Sequence, residues 1–170
     1  DLTEFAGTVE MSGSAFGFRY GINGGTWIAN PTAVLYDNLS VSNATLVLKG
    51  NHEQVLDNNS NVISTGTYTI GADATLKVAD DASVEGITFA AGATLELLDD
   101  GALSDKTQTY VALTSKTPIS GPMPSLVQSE GNRGKWKLVV REIPAETEEG
   151  SPTYQLVASF RPKGFVIIIN

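Results

Sequence analysis

YTIGADATLKVADDASV, residues 68–84, lies position for position over ITFAAGATLELLDDGAL, residues 87–103, when the chain is slid against itself by 19 residues. Tyr68 then faces Ile87, Ile70 faces Phe89, Ala74 faces Ala93 and Leu76 faces Leu95. Within each copy the side chains alternate. Ala74, Leu76 and Val78 point one way and Thr75 and Lys77 the other, just as Ala93, Leu95 and Leu97 oppose Thr94 and Glu96. Each copy reads as a half-buried strand. Such a strand needs a neighbour for its backbone groups, and the constant offset supplies one: the next copy, about 4.8 Å away and running parallel. The intervening ADDASVEG carries no amphipathic helical stripe and is shorter than the roughly dozen residues of a βαβ crossover, so the chain is expected to coil rather than fold back. In that register Lys77 stands over Glu96, but an exposed pair contributes only about 0–1 kcal/mol. Inward stacking of Ala, Leu and Ile is what carries the coil.

Working outward, residues 33–50 hold a third copy, in which Leu39, Val41, Ala44, Leu46 and Leu48 reproduce the inward set Tyr68, Ile70, Ala74, Leu76 and Val78. The Ala-Thr-Leu triplets at 44 and 74 are 30 residues apart, 11 more than the 19-residue offset. The surplus matches the polar, Asn-rich NHEQVLDNNSN of residues 51–61, expected to leave the coil as a loop. Insertions of this kind often sit on a binding face, although a plain solvated loop is the simpler reading. Upstream, residues 2–28 read as short strands between glycines. Phe16, Phe18 and Tyr20 fall on one face of such a strand and Arg19 on the other. With Trp27 nearby, this group suggests a sugar-stacking platform at Arg19, Tyr20 and Trp27, or a plug for the open end of a coil, which the tendency of rings to be buried favours.

Beyond Leu103 the 19-residue register fades. YVALTS is one more strand, PISGPMPSLVQSEGNRG a long connection, and WKLVVREI, TYQLVASF and FVIII three strands that would cover the apolar end of the last coil. The expected division is 1–113 for the coils and 114–170 for capping strands and loops.

Composition narrows the function. A hydrophobic content of 41% with abundant Gly, Thr, Ser and Asn favours an all-β chain, and a net charge of −8 opposes nucleic acid and anionic lipid. Cysteine is absent, so packing and ladder hydrogen bonds must supply the stability. The longest aliphatic run, Phe165 to Ile169, is far short of a membrane span, so this segment is not expected to insert, and any targeting signal is expected to have been removed or to lie upstream.

Chemistry-bearing residues are few. The one histidine, His52, sits beside Glu53 in the inserted stretch, without a second imidazole or a nucleophile context. Asp80-Asp81 and Asp99-Asp100 repeat at 19 residues and would stack, which raises calcium as a cofactor and a glycosidase or polysaccharide lyase as an activity. Acidic residues in exposed turns account for the same pattern, and neither the nonapeptide spacing of calcium-binding β-helices nor an adjacent lyase base is present. No catalytic, cofactor or metal residue is assigned.

The phrases LTEFAGTVEMSG, SNATLVLKG, GTYTIGADATLKV and FAAGATLELLDDGAL resemble the autotransporter-associated β-strand repeats of bacterial surface passenger domains. TYVALTSKTPISGPMPSLVQ, WKLVV and YQLVASF resemble the region that closes such arrays. The resemblance covers roughly residues 1–105 and rests on small residues and alternation. It implies a right-handed parallel β-helix (β-solenoid) with a C-terminal β cap, on the cell surface or outside it, acting as a non-catalytic stalk or adhesive segment. Surface glycans or proteins would be its partners, and the chain would be part of a longer one or displayed by a route that uses no barrel of its own. Two alternatives stand beside it: a carbohydrate-active β-helix, and a β-sandwich adhesion module in which the 19-residue spacing comes from hairpins.

Overall fold

The computed structural model describes residues 5–36, 38–98, 103, 105, 107–128, 135–147 and 150–160. Among these residues the chain is built of β-strands and turns, without an α-helix. Six strands form one long parallel sheet in chain order: Thr8–Met11, Thr26–Ala29, Thr45–Leu48, Thr75–Val78, Thr94–Leu97 and Ser125–Leu126. A second parallel sheet holds Ile22–Asn23, Leu39–Ser42, Thr67–Ile70 and Gly86–Phe89, with Ser120 bridged to Thr88. A third face is made by Asn51–His52, Ser83–Val84 and Thr109–Ser115, again parallel, while Ala15–Phe16 pairs with Val34–Leu35 in a small sheet of their own. The chain visits these faces in a fixed rotation.

The expected register is present from Tyr68 to Val78 over Ile87 to Leu97, but it ends there, because Ser83 and Val84 pair with Thr114 and Ser115 rather than with residues 102 and 103. Leu76 pairs with Leu46 on one side and Leu95 on the other, and Tyr68 with Leu39 and Ile87. A hairpin origin for the spacing would make 74–78 and 93–97 antiparallel. They are parallel, so that basis for a sandwich fails. The stacking also reaches further than the three copies read from the sequence. Thr8, Thr26, Thr45, Thr75, Thr94 and Ser125 occupy one register position on six strands.

Each strand of the long sheet sends alternate side chains inward. Leu46, Leu76 and Leu95 are 0% exposed, with Val9 and Trp27 at one end of the same row and Leu126 at the other. Burying one such side chain contributes about 1.5–3 kcal/mol. Of the other two rows, one is threonine at Thr26, Thr45, Thr75 and Thr94, with the Thr75 and Thr94 hydroxyls 2.7 Å apart, and the other passes from Ile28 and Val47 to Lys77 and Glu96, where the Lys77 ammonium donates to Glu96 at 2.9 Å.

The inserted stretch is a built arm. Asn51–His52 belongs to the third face, and the chain departs only after it, forming the antiparallel pair Val55–Leu56 and Val62–Ser64. It returns at Gly66, whose φ of +62° and close approach to the Glu53 backbone, 2.4 Å from where a Cβ would stand, require glycine. The Lys116 ammonium lies 2.5 Å from Glu53 and 3.9 Å from Glu85, tying the base of the arm to later strands. Hydrogen bonding to Glu53 holds the Lys116 pKa above its ordinary value.

At the far end, Trp136–Ile143 and Thr153–Phe160 pair antiparallel, and the latter also pairs antiparallel with Thr109–Ser115. The point between residues 113 and 114 falls inside that strand, and parallel pairing continues to Leu126 within the expected connection. The Trp136 ring sits 5.4 Å from those of Tyr110 and Phe160, and the Gln128 side chain accepts from the Trp136 backbone N–H at 3.0 Å and donates to its carbonyl at 3.2 Å. The third capping strand, at 165–169, lies outside the described residues.

Because the inward row carries the stack, Leu76→Ala is expected to cost about 2–5 kcal/mol and lower the urea midpoint. Lys77→Ala, which removes only a half-exposed ion pair, is expected to cost no more than about 1 kcal/mol in the same titration.

Candidate functional site

The aromatic group of the N-terminal region does not assemble as one face. Only Ala15–Phe16 is strand, and a turn in which the Gly21 N–H donates to the Phe18 carbonyl at 2.9 Å ends the alternation. Phe16 and Phe18 pack against the core, whereas Tyr20 is 89% exposed with the Arg19 guanidinium 5.7 Å from its ring centre. Trp27 goes elsewhere. It packs against Phe18 and Phe5 at centroid distances of 5.3 and 5.4 Å, with its indole N–H donating to the Gly24 carbonyl at 2.9 Å. Arg19 and Tyr20 are thus together, and Trp27 belongs to the packing.

Of the four stacked carboxylates, Asp99 and Asp100 lie outside the described residues. Asp80 and Asp81 are exposed in a turn, and Asp81 accepts the Gly50 N–H at 3.0 Å, a bond joining two passes of the chain. Among the described residues no three acidic, histidine or cysteine side chains are grouped to hold a metal ion.

His52 was expected in a solvated loop, and the structure places it in a strand, 3% exposed, over Val84. By spacing alone the surplus falls on residues 51–61, but the connection from Leu48 to Asn51 is shorter than that from Val78 to Ser83, which keeps residues 51 and 52 in register. The His52 Nε2 lies 3.1 Å from the Lys49 carbonyl, to which a neutral ring donates. Burial lowers the His52 pKa, against the opposing pull of the Ala29, Lys49 and Ala33 backbone groups and the Asp81 charge. In the arm beyond it, Asp57 accepts from the Asn61 side chain and backbone and from the Asn59 N–H at 2.8–2.9 Å, which lowers its pKa, while Leu56 and Val62 stand 51% and 52% exposed as a cross-strand pair.

Two of the recesses on the described surface bear on a site. The larger, about 550 Å³, lies between residues 123–128 and 136–138. The smaller, about 320 Å³, is on the outer face of the second sheet and is lined by Asn38, Thr67, Thr69, Thr88, Thr117 and Ser120 around Gly86. Its floor is the buried pair Tyr68 and Ile87, and burial pushes the Tyr68 phenol well above its ordinary pKa. Thr69 and Thr88 are Cα partners on neighbouring strands. Reading the sequence for charged and aromatic residues missed this recess. Its signal was the outward hydroxyl at matching places in the two aligned copies, Thr69 and Thr88.

Compared with protein families, with curated proteins and with solved structures, the chain matches none.

A neutral buried imidazole makes stability depend on pH in one direction. Its folded-state pKa lies below the ordinary 6.5, so the unfolded chain takes the proton first, and stability present above about 6.5 is lost as the pH falls below it. The urea midpoint is expected to decline between about pH 6.5 and 5, above the range where ordinary carboxylates titrate. His52→Asn, which can keep the bond to the Lys49 carbonyl without titrating, is expected to flatten that decline.

Proposed function

We propose that this chain is a segment of right-handed parallel β-helix that serves, outside the cell, as a non-catalytic element of surface display or adhesion. The observation that carries the reading is the single register of the six-stranded sheet, in which like side chains stack on like from Thr8 to Leu126. A stack of this kind lengthens by repetition and presents its outward rows and its arm at fixed places, as a display element requires. The likeness of its repeats to those of bacterial passenger domains supports the same assignment.

Incubation with a panel of plant and bacterial polysaccharides separates display from turnover. No new reducing ends or unsaturated products are expected over hours at micromolar protein, and their release would overturn the non-catalytic reading. A peptide tag inserted between Asn58 and Asn59 is expected to stay accessible to antibody with the urea midpoint little changed, because the arm stands off the parallel sheets.

A further inference from the structure

The geometry points to the recess around Gly86 as a binding site for a neutral saccharide. This deepens the adhesion reading above and rests on it. Thr65 and Thr67 both donate to the Asn38 Oδ1, Thr65 at 3.0 Å, so the amide oxygen is consumed inside the chain. The Asn38 Nδ2 then has two hydrogens to offer and no partner in the described chain. The Thr117 hydroxyl donates to the Glu85 carbonyl at 2.9 Å and Ser120 to the Pro118 carbonyl at 3.3 Å, which leaves their oxygens facing outward as acceptors. Thr69 and Thr88 are exposed and stand about one strand spacing apart at ~4.8 Å, and while their backbones are paired in the ladder their hydroxyls make no hydrogen bond within the described chain. The recess therefore offers one fixed donor, two fixed acceptors and two free hydroxyls.

Gly86 makes the space. A Cβ there would stand 2.6 Å from the Thr117 Oγ1 and 3.3 Å from the Thr67 Cγ2, and the backbone at this residue has no positive φ that would itself demand glycine. None of the lining side chains is charged. Of the charges next to the lining in sequence, Lys116 is paired with Glu53 and Glu85, while Asp37 lies outside the described residues. A ligand matching this lining is rich in hydroxyls that both donate and accept, carries no net charge, and has C–H faces to lie against Pro118 and the strand backbone. A neutral polysaccharide or oligosaccharide meets those terms, whereas a uronate or sulfated glycan would lack a cation.

The test is retention of the full chain on immobilised neutral polysaccharides, a β-glucan, a mannan and a galactan, with polygalacturonate and dextran sulfate as charged counterparts. Wild type is expected to be retained on at least one neutral polymer. The variant T69V/T88V, which keeps the branched shape, and Asn38→Asp, which replaces the donor by an acceptor, are each expected to bind about tenfold more weakly or less, with urea midpoints near wild type. Arg19→Ala/Tyr20→Ala is expected to bind as wild type. Undiminished binding by both recess variants, or its loss in the Arg19/Tyr20 variant alone, overturns the recess and leaves adhesion standing. Retention only on the charged polymers overturns the neutral ligand. Retention on none of the five overturns the saccharide site, while display without a glycan partner survives.

Discussion

Everything in this molecule depends on one constraint: adjacent strands of the long sheet must keep the same register, so that each inward side chain meets its counterpart one strand away. A slip of one residue would turn every inward leucine to solvent and every threonine to the core. The alternation is strict enough to forbid that slip, since Leu46, Leu76 and Leu95 lie between Thr and a polar or aliphatic outward residue on each strand. The parallel hydrogen bonds follow the register rather than set it. They satisfy the backbone, while the buried row supplies the free energy.

That constraint leaves the connections free. Between His52 and Thr67 the chain departs as an antiparallel arm, yet the strands on either side keep their places in the parallel sheets. Loop closure grows only slowly in cost with length, so such departures disturb the stack little once their ends are pinned. The ends of the arm are pinned by Gly66 at its return and by Lys116, Glu53 and Glu85 at its base. The proposed saccharide recess depends on the same freedom. Its hydroxyls come from outward positions of the second sheet, which the packing does not constrain, and its depth from one position where the side chain is absent.

The C-terminal part obeys a different rule. After Leu126 the described strands are antiparallel, and they lie along Thr109–Ser115, so that one edge of the third face is covered by backbone that does not continue the repeat. A second, small core around Trp136, Tyr110 and Phe160 attaches this pair, and the Gln128 amide binds the Trp136 backbone much as a further strand would.

By itself the sequence determined the all-β class, the parallel pairing of residues 68–70 with 87–89 and of 75–78 with 94–97, the third copy at 39–48 and the Lys77–Glu96 pair, because a period of two combined with a constant offset states both which face is buried and which strand is next. Only the tertiary structure decided the rest. The strands at Thr8, Thr26 and Ser125 lie at spacings of 18, 19 and 31 residues from their neighbours, and the last crosses an insertion, so no single offset aligns them. His52 entered the core because a shorter connection upstream offset part of the surplus, and Trp27 parted from Tyr20 because a turn at Gly21 broke an alternation that the residue types suggested. The recess drew Asn38, Thr67, Thr88 and Thr117 together from four passes of the chain. Each is an ordinary exposed polar residue in its own strand or turn, and only stacking makes them neighbours.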